Sequence, residues 1–231
     1  MTRTSLYAPV LATLVALVLP FGLGAQSKPQ APLTAAEIQQ LITRGQPADH
    51  GRLSAHFTAL ADRYAADAKR HATMQPAFGG NAKLAHMAAS QAAHCKQLAA
   101  SNQESANLLR ELAAHHAKEA AGAASQPPAG SDRFQSAPRV PSDAELNKLA
   151  ANASSAADHS ALAAYFTTMA TQYDREAKES MAFAASWRSQ TRVPTASTLA
   201  GRWERLAKQQ TAAAAEARAA ANAHRDHTAT K

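Results

Sequence analysis

The sequence predicts an all-α fold in which two duplicated helical hairpins, each preceded by a short helix, pack as a four-helix-bundle-like array. Three observations predict it. Alanine supplies 61 of the 231 residues; it loses least on entering a helix, and the β-branched residues that favour strands are sparse beyond the N-terminus. A phrase near the start of the chain returns 109 positions later, so that Ala48 to Arg70 and Ala157 to Glu179 agree at 11 of 23 positions, seven of them not alanine. In each copy the large apolar residues recur by four, three and four, as Leu53, Phe57, Leu60 and Tyr64 and again as Leu162, Phe166, Met169 and Tyr173. That spacing belongs to helices that bury one stripe against a partner.

Residues 1–25, MTRTSLYAPVLATLVALVLPFGLGA, combine Arg3, an apolar run from Leu6 to Leu19, a break at Pro20 and small residues before Gln26. This is the layout of a cleaved signal peptide, and the run is shorter than the roughly 20 residues that span a bilayer. A periplasmic or secreted protein with no transmembrane segment after cleavage is expected. Gln26 stands where a lipoprotein would need its cysteine, which excludes a lipid anchor at that position.

An N-terminal linker (26–32) leads to helical repeat 1 (33–120). Thr34 and Glu37 form a capping box that starts a short helix. Gly45 and Pro47 stop it, and Asp49 is expected to cap a longer helix reaching about Gln75. The phrase QPAFGGN turns the chain, and Asn81 can cap a second long helix reaching about Ala120. A Pro, Gly and Ser-rich linker (121–141) follows. Helical repeat 2 (142–227) starts with a box of Ser142 and Glu145, uses Asp158 as the next cap, turns at TRVPT and continues from about Ala196 to His224, leaving a tail (228–231). A weaker match, now offset by 108, joins Leu98 to Leu206, Arg110 to Arg218 and His116 to His224.

The formal net charge is +7. Loss of Arg3 with the leader would leave 23 bases against 17 acids, or +6, and nucleic acid is not an expected partner. Cys95 is the only cysteine, so no intramolecular disulfide is available. HExxH, Walker, Rossmann, CxxCH and paired CxxC motifs are absent from residues 26–231. A catalytic role is therefore not the expectation.

Two sets of residues carry candidate chemistry. If hairpin 1 turns near Ala77 to Gly79, His71 and His86 stand at similar heights with Met74 and Met87 beside them, and His94 and Cys95 follow two turns on. Imidazole, thioether and thiolate together suit copper, and imidazole with thiolate suits zinc. The second copy has Ser180 in place of His71, and Arg202 and Trp203 in place of His94 and Cys95, so such a site would belong to repeat 1 alone. The second set lies at the other turn, where Trp187, Arg188, Arg192, Arg202, Trp203, Arg205 and Lys208 are opposed only by Glu204. A basic, aromatic tip can engage anionic lipid headgroups or cell-wall polymers; alternatively, the indoles close the end of the core under the arginine stems.

Further histidines need separate reading. Glu111, His115 and Glu119 follow at four-residue steps, a spacing that permits ligation but also serves a solvated helix face. His50 and His159 repeat, as do His116 and His224, which marks these positions as set by the architecture.

At DHGRLSAHFTALADRYAADAKRH and HCKQLAASNQESANLLRELAAHHAKEA the chain resembles exported, alanine- and histidine-rich helical proteins of bacteria. The resemblance covers most of the chain after the leader. It implies an envelope setting and transfers no active site. The expectation is thus a non-enzymatic exported helical protein that binds an envelope component, protein partner or anionic surface through the Trp/Arg tip. The alternative is copper or zinc binding in repeat 1.

Overall fold

The computed structural model describes residues 33–229 apart from 85, 122–140 and 192. The expected leader and the linker after it, most of the inter-repeat linker and Arg192 lie outside the described residues. Among the described residues there are six α-helices and no strand: α1 (Ala35–Arg44), α2 (Pro47–Gly79), α3 (Ala88–Ala120), α4 (Asp143–Asn152), α5 (Ala156–Ser189) and α6 (Ala196–Ala229). None of them is long and apolar enough to cross a membrane.

Both short helices begin as their sequences require. The Thr34 side chain accepts from the Glu37 amide while Glu37 reaches back to the Thr34 amide, and Ser142 and Glu145 repeat the arrangement. Gly45 ends α1 with φ at 59°, a left-handed conformation in which a β-carbon would be strained. The chain then enters α2 with Gln46 as N-cap and Pro47 in the first turn, where a missing amide hydrogen costs nothing.

Asp49 and Asp158 differ from the caps expected of them. Asp49 lies inside the first turn of α2, buried, and accepts from Arg44 Nε at 3.1 Å and Nη2 at 2.8 Å. In the second copy the cap is Ser155, with Asp158 as the reciprocating third residue of a capping box. An aspartate three residues into a helix can return a bond to the start of the helix, which makes it resemble a cap in sequence. Asn81 also caps something else: its Nδ2 donates to the Ala150 and Ala153 carbonyls at 3.1 and 3.3 Å, closing the end of α4. A single 3₁₀ turn, Ala82–Leu84, follows before α3 begins.

The helices α2 and α3 form hairpin 1, and α5 and α6 form hairpin 2. The closest backbone packing between the hairpins is α3 on α6, where Ala106, Ala213, Ala217 and Ala220 are buried. Such small side chains bring helix axes together. On the opposite side α2 and α5 meet through long side chains, and α1 and α4 each touch both of them. The hairpins run head to tail: Trp203 packs edge-on to Phe57 with centroids 5.3 Å apart, and His224 lies 5.8 Å from Phe78. The turn of each hairpin therefore seals the open end of the other. The predicted stripes form this core, with Leu53, Phe57, Tyr64, Leu162, Phe166 and Tyr173 buried; burial of each large apolar side chain stabilises the fold by roughly 1.5–3 kcal/mol relative to exposure.

Candidate functional site

The helix register places the polar residues of the core. In hairpin 1 His50 Nδ1 meets His116 Nδ1 at 2.8 Å, and in hairpin 2 His159 Nδ1 meets His224 Nδ1 at 3.0 Å. Antiparallel helices of equal rise then bring Tyr64 level with Asn102, His71 level with Cys95, and Tyr173 level with Gln210. The tyrosines do not bond within their own hairpins. Tyr173 donates to Asn102 Oδ1 of repeat 1 at 2.9 Å, and Tyr64 accepts from Gln210 Nε2 of repeat 2 at the same distance. A local twofold relation between the repeats passes through this layer.

Glu176 breaks the symmetry. It is buried, accepts from the Tyr64 hydroxyl and from Gln172 Nε2 at 3.1 Å, and pairs with Arg63 Nη2 at 2.8 Å. The Arg63 guanidinium also lies over the Tyr64 ring, 4.8 Å from its centroid. Burial opposes the Arg63 charge, but Glu176, Tyr64 and Asp67 outweigh it and hold the pKa above the ordinary guanidinium value. Burial and the Glu176 charge raise the Tyr64 pKa, and burial raises that of Tyr173, so both phenols stay neutral. Asp67 is raised by burial against the pull of Arg70 and Arg63.

Two cavities flank this layer between α2 and α5. One, of about 550 Å³, is lined by Arg63, Arg70, Pro141, Tyr165, Met169 and Tyr173 among others. The other, of about 540 Å³, includes Leu33, His56, Leu60, Arg63, Phe183 and Trp203. Duplication relates Leu33 to Pro141, His56 to Tyr165 and Leu60 to Met169, so the cavities are two versions of one groove. Their mouths differ chemically. The Leu33 amide donates to His56 Nδ1 at 3.0 Å, a bond that Pro141 cannot make. Burial, followed by the Arg63 charge, lowers the His56 pKa to about 4. Arg63 lines both cavities and joins them.

The proposed repeat 1 metal set does not converge. His71, Met74, Met87 and Cys95 are buried, His86 is exposed, and His94 Nδ1 turns to Glu216 Oε1 at 2.6 Å. His71 packs among Tyr165 and Phe166, with neither ring nitrogen hydrogen-bonded. Burial, with Arg70 adding to it, takes its pKa to about 3, and burial pushes the Cys95 thiol up to about 12. Among the described residues no group of three or more His, Cys, Asp or Glu is arranged to hold a metal ion. The helix register sets His71 level with Cys95 rather than with His86, which lies in the turn before α3. Glu111 instead pairs with Arg202 Nε at 3.2 Å, while His115 lies against His116 with centroids 5.2 Å apart and Glu119 is exposed.

At the other turn Trp187 and Trp203 are buried, 3% and 2% exposed, against His116 and Phe57. Arg188 pairs with Glu204 and Arg202 with Glu111, while Arg205 and Lys208 are exposed. The indoles close the core and leave the basic side chains on the surface. Sequence reasoning missed Glu176 and the exchanged tyrosine bonds; the recurrence of Tyr64 and Tyr173 at one offset was the available signal. It marked the four repeated histidines as architectural without showing that they meet in pairs. No protein-family model, no curated protein and no solved structure matches the chain.

Proposed function

We propose that this chain is a non-enzymatic binding protein of the bacterial envelope, and that a neutral amphiphilic small molecule occupies the groove between α2 and α5. The observation that carries this reading is the pair of related cavities that meet at Arg63, with its ion-pair partner Glu176 lining one of them. Ligand sites of this size combine apolar walls with few fixed polar groups. Here Tyr165, Met169, Leu60 and Phe183 supply the walls. Arg63 and Arg70 are balanced by Glu176, Asp67 and Asp143, which favours a neutral ligand over a strongly ionic one. The leader-like N-terminus supports the envelope setting.

A titration with the neutral fluorophore N-phenyl-1-naphthylamine tests the reading. Saturable binding is expected, with affinity lowered at least tenfold by Leu60→Trp combined with Met169→Trp, which fills both cavities. Saturable binding that the double variant leaves unchanged would remove the groove from consideration.

A second reading keeps the anionic-surface contact, favoured by the exposure of Arg188, Arg205 and Lys208 at one end of hairpin 2. Vesicles containing anionic lipid should bind the wild type and release it on exchange of these three residues for glutamine. Binding that survives the exchange rejects this second reading.

A further inference from the structure

At the open end of each hairpin two imidazoles face each other through the same ring atom. The contacts are His50 Nδ1 to His116 Nδ1 at 2.8 Å and His159 Nδ1 to His224 Nδ1 at 3.0 Å. Between neutral rings this is an N–H···N hydrogen bond, with one ring donating and the other accepting. Two Nδ1 lone pairs aimed at one point are also the donor set of a linear, two-coordinate metal ion. With metal–nitrogen bonds of about 2 Å each, the rings need to separate by only about 1 Å.

We infer that each histidine pair is a two-coordinate site for copper(I), giving the chain two such sites related by its internal duplication.

Four observations carry this. Both pairs survive in both copies although neighbouring seam positions have diverged, with His71 against Ser180, Cys95 against Trp203 and His56 against Tyr165. Apolar rings line the more deeply buried histidine of each pair: Phe57 and Trp187 lie beside His116, and Phe78 and Phe166 lie beside His224 at 5.8 and 6.0 Å. Such walls supply none of the oxygen ligands that a divalent ion demands, and a single positive charge is less costly to bury than two. Among the described residues no group of three or more His, Cys, Asp or Glu is arranged to hold a metal ion, so an ion at either pair would have to be one that two ligands satisfy. Finally, a line of imidazoles reaches the hairpin 2 pair from the surface, beginning in the turn of hairpin 1. Exposed His86 lies 5.1 Å from His227, which lies 4.2 Å from His159. In hairpin 1, half-buried His115 stands beside His116.

The binding step is a ligand exchange without oxidation or reduction. The ring that carries its proton on Nδ1 moves it to its own Nε2, two nitrogen–copper bonds form, and two ligands of the incoming copper complex leave. No net proton is released, and the site gains one positive charge.

Full-length untagged protein, titrated anaerobically with copper(I) against the chromophoric chelator bicinchoninate, tests the inference. Two ions per chain are expected. His50→Gln and His159→Gln should each reduce this to one, the double variant should bind none, and Cys95→Ser should still bind two. X-ray absorption of the copper-loaded wild type needs no variant and should show two nitrogen donors and no sulfur. Fewer than two ions on the wild type, retention of either ion by the folded double variant, loss of an ion on Cys95→Ser, or a sulfur or third ligand in the absorption spectrum would each overturn the assignment, leaving the pairs as hydrogen bonds alone.

Discussion

The Tyr64 and Tyr173 rings lie 6.2 Å apart and are inclined by only 20°, and each hydroxyl is bonded to a residue of the opposite repeat. The two hairpins are thus joined at their middle by directional bonds as well as by apolar contact. Directional bonds in a buried layer penalise other registers, because a slipped hairpin would leave Asn102 and Gln210 without these partners.

Removing one hydroxyl should expose that dependence. Tyr173→Phe leaves Asn102 Oδ1 buried without its donor, and a cost of about 1–3 kcal/mol is expected. Tyr64→Phe should cost more, because both Glu176 and Gln210 lose a partner. Urea denaturation followed by circular dichroism gives both values. A Tyr64→Phe variant as stable as wild type would show that this layer does not hold the hairpins together.

Acid should destabilise the protein well before its carboxylates titrate. Burial is the first cause lowering His71, His116 and His224 to about 3, from 6.5; Arg70 adds to it at His71, His50 and His115 at His116, and His159, His227 and His94 at His224. Between these values the unfolded chain binds protons that the folded chain refuses. The histidine contribution to stability is therefore full above pH 6.5, falls as pH drops from 6.5 towards 3, and levels below that. Each of these histidines contributes a slope of about 1.4 kcal/mol per pH unit, and with His56, lowered to about 4 by burial and then Arg63, the four together give about 5–6 between pH 6.5 and 4. His71 has no hydrogen bond to lose, so His71→Leu should raise stability at pH 7 by about 1–3 kcal/mol and flatten the acid slope by about a quarter. Denaturation midpoints at pH 7, 6, 5 and 4 supply the comparison; a pH-independent midpoint contradicts it.

Cys95 should be silent in the folded protein. It is fully buried and its thiol is pushed up to about 12 by burial, so the thiolate that alkylating reagents require is scarce and inaccessible. Iodoacetamide labelling followed by mass spectrometry should find it unmodified in buffer at pH 8 and fully modified in urea. Rapid labelling without denaturant would place the thiol nearer the surface.

The helical repeats were legible in sequence because their signals are local. Capping boxes at Thr34 and Ser142 depend on four consecutive residues, and the apolar stripes depend on helical periodicity alone. The assignment of Asp49 failed because an aspartate in the first turn can face an arginine as easily as the helix amides, and Arg44 is its partner. The structure separates the proposed metal set because the turn lies further along the chain than expected: α3 begins only at Ala88, so His71 stands level with Cys95, while His86 lies exposed in the turn. The Trp187 and Trp203 environment depends on the head-to-tail docking of two hairpins, a long-range choice that no single stripe encodes.

The exchange of partners between Tyr64 and Tyr173 also bears on how such a chain can diverge. Two identical, unlinked hairpins docked about the same axis would have to accept every substitution twice, once on each side of the junction. Covalent fusion removes that constraint. One side can then acquire Glu176 and Trp203 while the other keeps Asp67 and Cys95, and a self-complementary dimer becomes a single molecule with two chemically distinct faces.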